Sequence, residues 1–137
     1  MGDGERFMLT YKTYLEEKDS LTFQEAEEIY SQILQSANTS DSDFKEFWED
    51  MIKSAIVYAN TRAEWSIQTL EERRDIDDSR THQHNTFMIN LKVIANYMKQ
   101  QNWSSVWFDE LGTIESDRKR FGDFACYLVC INSLNAR

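Results

Sequence analysis

A chain of 137 residues with a net charge of −9, 41% hydrophobic residues and no proline is long enough to bury a core as one domain. Proline punctuates sandwiches, barrels and long loops and is kept out of helix interiors, so its absence, with only four glycines, excludes the β-rich classes and predicts an all-α protein. No stretch approaches ~18 consecutive apolar residues, which excludes a membrane-spanning helix.

The charge is uneven. Residues 1–70 hold 14 acids and 6 bases, residues 71–137 hold 10 and 9. Such a field repels nucleic-acid backbones and anionic membranes and steers toward basic partners. The opening Met1-Gly2-Asp3-Gly4-Glu5-Arg6 lacks the basic and apolar regions of a signal peptide, and Arg6 stands where a myristoylation signal needs Ser or Thr. The expectation is a cytoplasmic protein.

A first helix is predicted over 5–17, carrying Phe7, Leu9, Tyr11, Tyr14 and Leu15. Thr22-Phe23-Gln24-Glu25 is a capping box that opens a second, with Ala26, Ile29, Tyr30, Ile33 and Leu34 at helical spacing. Asn38-Thr39-Ser40-Asp41-Ser42 is a loop, because such side chains compete for backbone hydrogen bonds. Asp43-Phe44-Lys45-Glu46 then starts a long third helix. Its apolar 3–4 period, from Phe44 through Met51, Ala55, Ala59, Ala63 and Ile67 to Leu70, runs to about Arg73. That is roughly 45 Å of helix, with Arg73 and Arg74 suited to its negative end.

The reversal is expected at Asp75–Ser79, followed by a fourth helix whose stripe is Phe87, Met88, Leu91, Ile94, Ala95 and Met98. Lys99-Gln100-Gln101-Asn102 ends it. A short segment from Trp103 to Leu111 stops at Gly112, a natural αL cap. The last helix runs from Ser116 or Asp117 to Leu134 and buries Phe121, Phe124, Ala125, Leu128, Val129 and Ile131. Gly122 inside it weakens the helix by about 1 kcal/mol relative to alanine and permits a close backbone approach. The architecture predicted is a single-domain up-down bundle of four to five main helices plus a short one, helices three and four forming an antiparallel hairpin. Cys126 and Cys130 point the same way from consecutive turns, so they read as buried reduced thiols, not as a disulfide or a metal pair.

Titratable side chains are densest in the window Asp75–His84, which holds both histidines and three aspartates. On a helix, Arg80 and His84 continue the apolar stripe of Phe87, Leu91 and Ile94, whereas His82 is turned about 200° away from His84. In the expected register His84 lies opposite Ile67 and Arg80 opposite Glu71, with Trp65 nearby. The resulting expectation is a semi-buried polar cluster, in which Arg80 pairs with Glu71 or Asp77 and His84 hydrogen-bonds across the hairpin. Trp103 and Trp107, one turn apart, are a second candidate contact surface, against the plainer role of capping the bundle with both indoles inward.

Enzymatic motifs are missing. Glu46-x-x-Glu49 with Glu72-x-x-Asp75 matches on paper the paired acidic motifs of helical nucleotide pyrophosphohydrolases, but the pairs sit ~39 Å apart on the predicted third helix. Neither histidine has a glutamate three residues before it, as a di-iron bundle requires, and Asp78 with His82 supplies too few ligands for a specific metal. No phosphate-cradling glycine loop or nucleophile elbow occurs.

The run from Asp77 to Asn85 into Thr86-Phe87-Met88-Ile89-Asn90-Leu91, with Phe121-Gly122-Asp123-Phe124 in the last helix, resembles a pattern in small all-helical bacterial proteins of unknown function. The resemblance covers roughly 45–135. It implies a compact helical fold and no known activity, and makes Arg80, His84 and Asn85 the family-defining positions. The functional expectation is a non-enzymatic factor acting by protein–protein contact, of the immunity, antitoxin-like, regulatory or phage-encoded inhibitory kind. Its partner would be another protein, basic in character, with no nucleic acid, membrane, cofactor or metal, and with oligomeric state left open, a homodimer included. The alternatives are a small-molecule or metal binder using a pocket at Arg80 and His84, and an acidic mimic of nucleic acid. The candidate binding residues are Arg80, His84, Asn85, Asp77, Trp65, Trp103 and Trp107.

Overall fold

The computed structural model describes residues 21–135, so the helix expected over 5–17 lies outside the described residues. Within them are α1 (Phe23–Ser36), α2 (Ser42–Ile67), α3 (Leu70–Gln100), α4 (Val106–Leu111) and α5 (Arg118–Asn135), with no strand. The molecule is the expected all-α bundle. No helix among the described residues is long and apolar enough to cross a membrane.

The capping box that opens α1 is formed: Thr22 Oγ1 accepts from Glu25 N, and the Glu25 carboxylate accepts from Thr22 N, both at 3.1 Å. At the start of α2 the cap is Asp41, so the helix begins at Ser42, one residue before the expected Asp43. Its carboxylate accepts from Phe44 N at 2.9 Å and from the Tyr97 hydroxyl at 2.8 Å. The second bond ties the beginning of α2 to the end of α3. These contacts, Phe44 N–H foremost, hold the Asp41 carboxyl below the usual carboxylate range, and the Asp41 bond pushes the Tyr97 hydroxyl up to about 12.

The largest departure from expectation is the reversal, which falls at Gln68–Thr69 instead of 75–79. Thr69-Leu70-Glu71-Glu72 is itself a capping box: Thr69 Oγ1 accepts from Glu72 N at 3.2 Å, and Glu72 Oε1 accepts from Thr69 N at 3.3 Å. Arg73, in the first turn of α3, reaches back to the last carbonyls of α2, donating to Trp65 O at 3.0 Å and Ser66 O at 3.2 Å. It neutralises the negative end of α2 as a cation there should, but from the next helix. Ile67 and Leu70 had extended the apolar period; they are 53% and 76% exposed.

α2 is packed along its length on antiparallel α3 and on α5, while α1 lies against α5 and α4. Beyond the end of α3, Asn102 with φ 62° allows Trp103 N to bond Met98 O at 2.8 Å, the Schellman closure. Gly112 ends α4 with φ 106° and ψ −156°, outside αL and in a region that essentially requires glycine. Arg120 on α5 donates to Leu111 O at 3.1 Å and Glu110 O at 3.0 Å, and meets Glu25 at 3.6 Å, joining three helices. Cys126 is buried as expected; Cys130 is exposed, the stripe of α5 being narrower than its spacing to Cys126 implied.

At Gly122, α5 is packed directly against side chains of α2 and α3. A methyl group there would stand 2.7 Å from Tyr58 Oη, 3.1 Å from Arg62 Nη1 and 3.3 Å from His84 Cδ2. Gly122→Ala should therefore lower stability by about 1 kcal/mol net, an overpacking cost near the middle of the usual range, about 2 kcal/mol, being partly offset by the ~1 kcal/mol gained in helix propensity. In urea denaturation the double variant with Tyr58→Phe should lose less than the sum of the singles. A Gly122→Ala protein as stable as the parent would contradict this packing.

Candidate functional site

Two charged side chains occupy core positions. Arg62 falls on the buried face of α2 with Met51, Ala55, Tyr58 and Ser66, and Asp123 falls on the buried face of α5. Arg62 Nη2 meets Asp123 Oδ1 at 2.6 Å, with the side chains 1% and 0% exposed. The other carboxylate oxygen accepts from Leu21 N at 2.9 Å and forms an ion pair with Lys119 Nζ at 3.5 Å. Arg62 Nη1 also donates to Cys126 Sγ at 3.7 Å, and the guanidinium carbon lies 5.9 Å from the Tyr58 ring centre. Neither residue was among the expected site positions. A signal was available: each is a lone charge, of opposite sign, on an otherwise apolar stripe.

His84 is buried and sits beside this pair. Its Nε2–H donates to Arg118 O at 2.7 Å, which leaves Nδ1 as the acceptor facing Arg118 Nη2 at 3.3 Å. The same Arg118 nitrogen donates to Asn85 Oδ1 at 2.8 Å. The hydrogen bond expected across the hairpin is thus made to α5 instead. Across the hairpin, the Tyr58 ring meets the imidazole edge-on at 5.1 Å. Burial drives the His84 imidazole down to about 4; the Arg118, Arg80 and Arg62 charges add to that, and the carbonyl bond opposes it. The ring is neutral at physiological pH.

Arg80 does not pair with Glu71 or Asp77. Its guanidinium lies over the Trp65 ring at 4.4 Å, as does that of Arg73 at 4.2 Å. Asp77 instead accepts from the Trp65 indole N–H at 2.7 Å. The earlier reversal explains the difference, because it leaves Glu71 exposed in the first turn of α3 and moves Trp65 opposite Arg80. Arg80 Nε is buried with no hydrogen-bond acceptor.

These groups surround a cavity of about 560 Å³ lined by Tyr58, Arg62, Arg80, Thr81, His84, Asn85, Arg118 and Lys119. Three arginines and a lysine from three helices face it, and its lining contains no carboxylate. Of the expected residues, Arg80, His84 and Asn85 line the cavity, and Trp65 and Asp77 stand behind Arg80. Trp103 and Trp107 take the plainer role. Trp107 is 0% exposed, and half-buried Trp103 meets Phe44 and Tyr97 edge-on, more than three turns of α3 away from His84. Among the described residues no three His, Cys, Asp or Glu side chains are grouped to hold a metal ion. No protein-family model matches this chain, and neither the curated proteins nor the solved structures contain a match.

The neutral imidazole has a consequence for pH. Its folded value, about 4, lies below its ordinary 6.5. Between the two the unfolded chain binds the extra proton, so the stability from this site is complete above pH 6.5 and is lost as pH falls toward 4. The loss is on the order of 3 kcal/mol. Urea denaturation from pH 7 to 4.5 should give a shallower pH slope for His84→Gln than for the parent, and equal slopes would contradict the assignment.

Proposed function

We propose that this chain is a binding protein for an anionic small molecule, held in the cavity between α2, α3 and the start of α5. One observation carries the reading: Arg62, Arg80, Arg118 and Lys119 converge on one cavity in a chain whose net charge is −9. Asp123 answers Arg62 and Lys119, and the like charges of Arg80 and Arg118 in a partly desolvated space remain unfavourable until an anion offsets them. Guanidinium groups present planar forks matched to oxyanions. Trp65 holds Arg80 from behind, and His84 with Asn85 orients Arg118, so the forks are set before a ligand arrives. His84 has both ring nitrogens engaged, which suits positioning and not proton transfer.

The test is thermal melting in sulfate, phosphate or succinate against chloride at equal ionic strength. A bound anion at 100 times its Kd stabilises by about 2.7 kcal/mol. Dose-dependent shifts are expected, and Arg80→Glu and Arg118→Glu should each abolish them. Absence of any shift, or shifts undiminished in both variants, would exclude the reading.

A second reading, the protein-contact factor, has its own observation. Ile67 and Leu70 flank the α2–α3 reversal and expose apolar side chains to solvent. On that reading a stoichiometric partner captured by the parent chain is lost with Ile67→Ser and Leu70→Ser together, and unaltered capture would reject it.

A further inference from the structure

The inference rests on the anion-binding reading and narrows its ligand: we infer that the cavity takes a phosphate monoester of a small organic molecule, with the phosphate held by Arg80 and Arg118 at the first turn of α5. Four features support it. Charge is the first. Arg62 is matched by Asp123, and Lys119 also reaches that carboxylate, whereas Arg80 and Arg118 meet no carboxylate among the described residues. Two such guanidiniums match the charge of about −1.5 to −2 that a phosphate monoester carries near neutral pH, while a single carboxylate leaves one of them over.

Shape is the second. The two forks come from different helices, α3 and α5, and the buried Nε of Arg80 still lacks an acceptor. A tetrahedral phosphate offers three terminal oxygens in different directions, where a carboxylate offers two in one plane. Third, Arg118 and Lys119 are the first two residues of an 18-residue helix, so its positive dipole end borders the same space. Fourth, about 560 Å³ is far more than phosphate fills and lies in the usual range for organic ligands, about 300–1,000 Å³. The remaining lining includes Thr81 and Asn85, which offer neutral polar groups to the organic portion. Among the described residues no metal-binding group accompanies the site, and both nitrogens of His84 are engaged.

Calorimetric titration of the full chain at pH 7.5 and fixed ionic strength tests this with adenosine 5′-monophosphate, glucose 6-phosphate, inorganic phosphate, adenosine, glucose and succinate. At least one ester should bind ten times more tightly than inorganic phosphate, and its unphosphorylated counterpart should not bind. Arg80→Gln and Arg118→Gln should each weaken that ester at least tenfold, with circular dichroism showing the helices intact. If succinate binds as tightly as every ester, the phosphate assignment is overturned and the anion site stands. If inorganic phosphate equals the esters, the organic part is overturned. If none of the anions binds, both the inference and the reading beneath it fail.

Discussion

A guanidinium and a carboxylate that have both left water must find each other, and Arg62 and Asp123 do so at 2.6 Å in the middle of the bundle. Removing either partner from a buried pair leaves an uncompensated charge and typically costs about 3–5 kcal/mol, although replacing both by apolar groups is often neutral. The pair is thus weak as a source of stability and strong as a constraint on arrangement. It fixes how α5 is rotated against α2, because only one facing brings Asp123 to Arg62. The neighbouring Gly122 has no side chain, which leaves room for Tyr58 Oη and Arg62 Nη1 against α5. The same carboxylate receives Leu21 N, so the entry to α1 is set by it as well.

Once α5 is so placed, its first turn delivers Arg118 and Lys119 to the space beside His84. The imidazole then bridges α3 and α5 through one carbonyl and one guanidinium. On the other side, the Trp65 indole carries Arg80 on its face while Asp77 secures the ring nitrogen. The cationic cavity is therefore a product of three helices and two distinct supports. Burial and the surrounding positive charge keep His84 neutral, so the imidazole orients its neighbours without adding to their repulsion.

Much of the fold was legible in the residues. The absence of proline, the Thr22–Glu25 box and the stripe from Phe87 to Met98 all correspond to what the structure shows, whereas the atoms nearest Gly122 are side-chain ends of α2 and α3 and not the expected backbone. The reversal was misplaced because Ile67 and Leu70 prolong the apolar period of α2, although both project into solvent. The Thr69–Glu72 box, the same signal used correctly at Thr22, outweighs that accident of spacing. The misplaced reversal shifted every partner across the hairpin, which is why Arg80 was paired with carboxylates and not with Trp65. Arg80 and His84 are legible as a continuation of the helical stripe, and Asn85 lines the cavity next to His84. Arg118 gave no such signal, since its role comes from the tertiary placement of a helix start. Arg62 and Asp123 were readable only as a pair, each explaining the other's presence in an apolar face.

The most direct test of this account is a double-mutant cycle between Arg62→Met and Asp123→Leu, with stability read from urea denaturation. Each single change should be severely destabilising, by about 3–5 kcal/mol, and the double variant should recover at least 2 kcal/mol relative to the sum. Additive losses, or single variants as stable as the parent, would contradict the claim that this buried pair sets the position of α5 and with it the cavity.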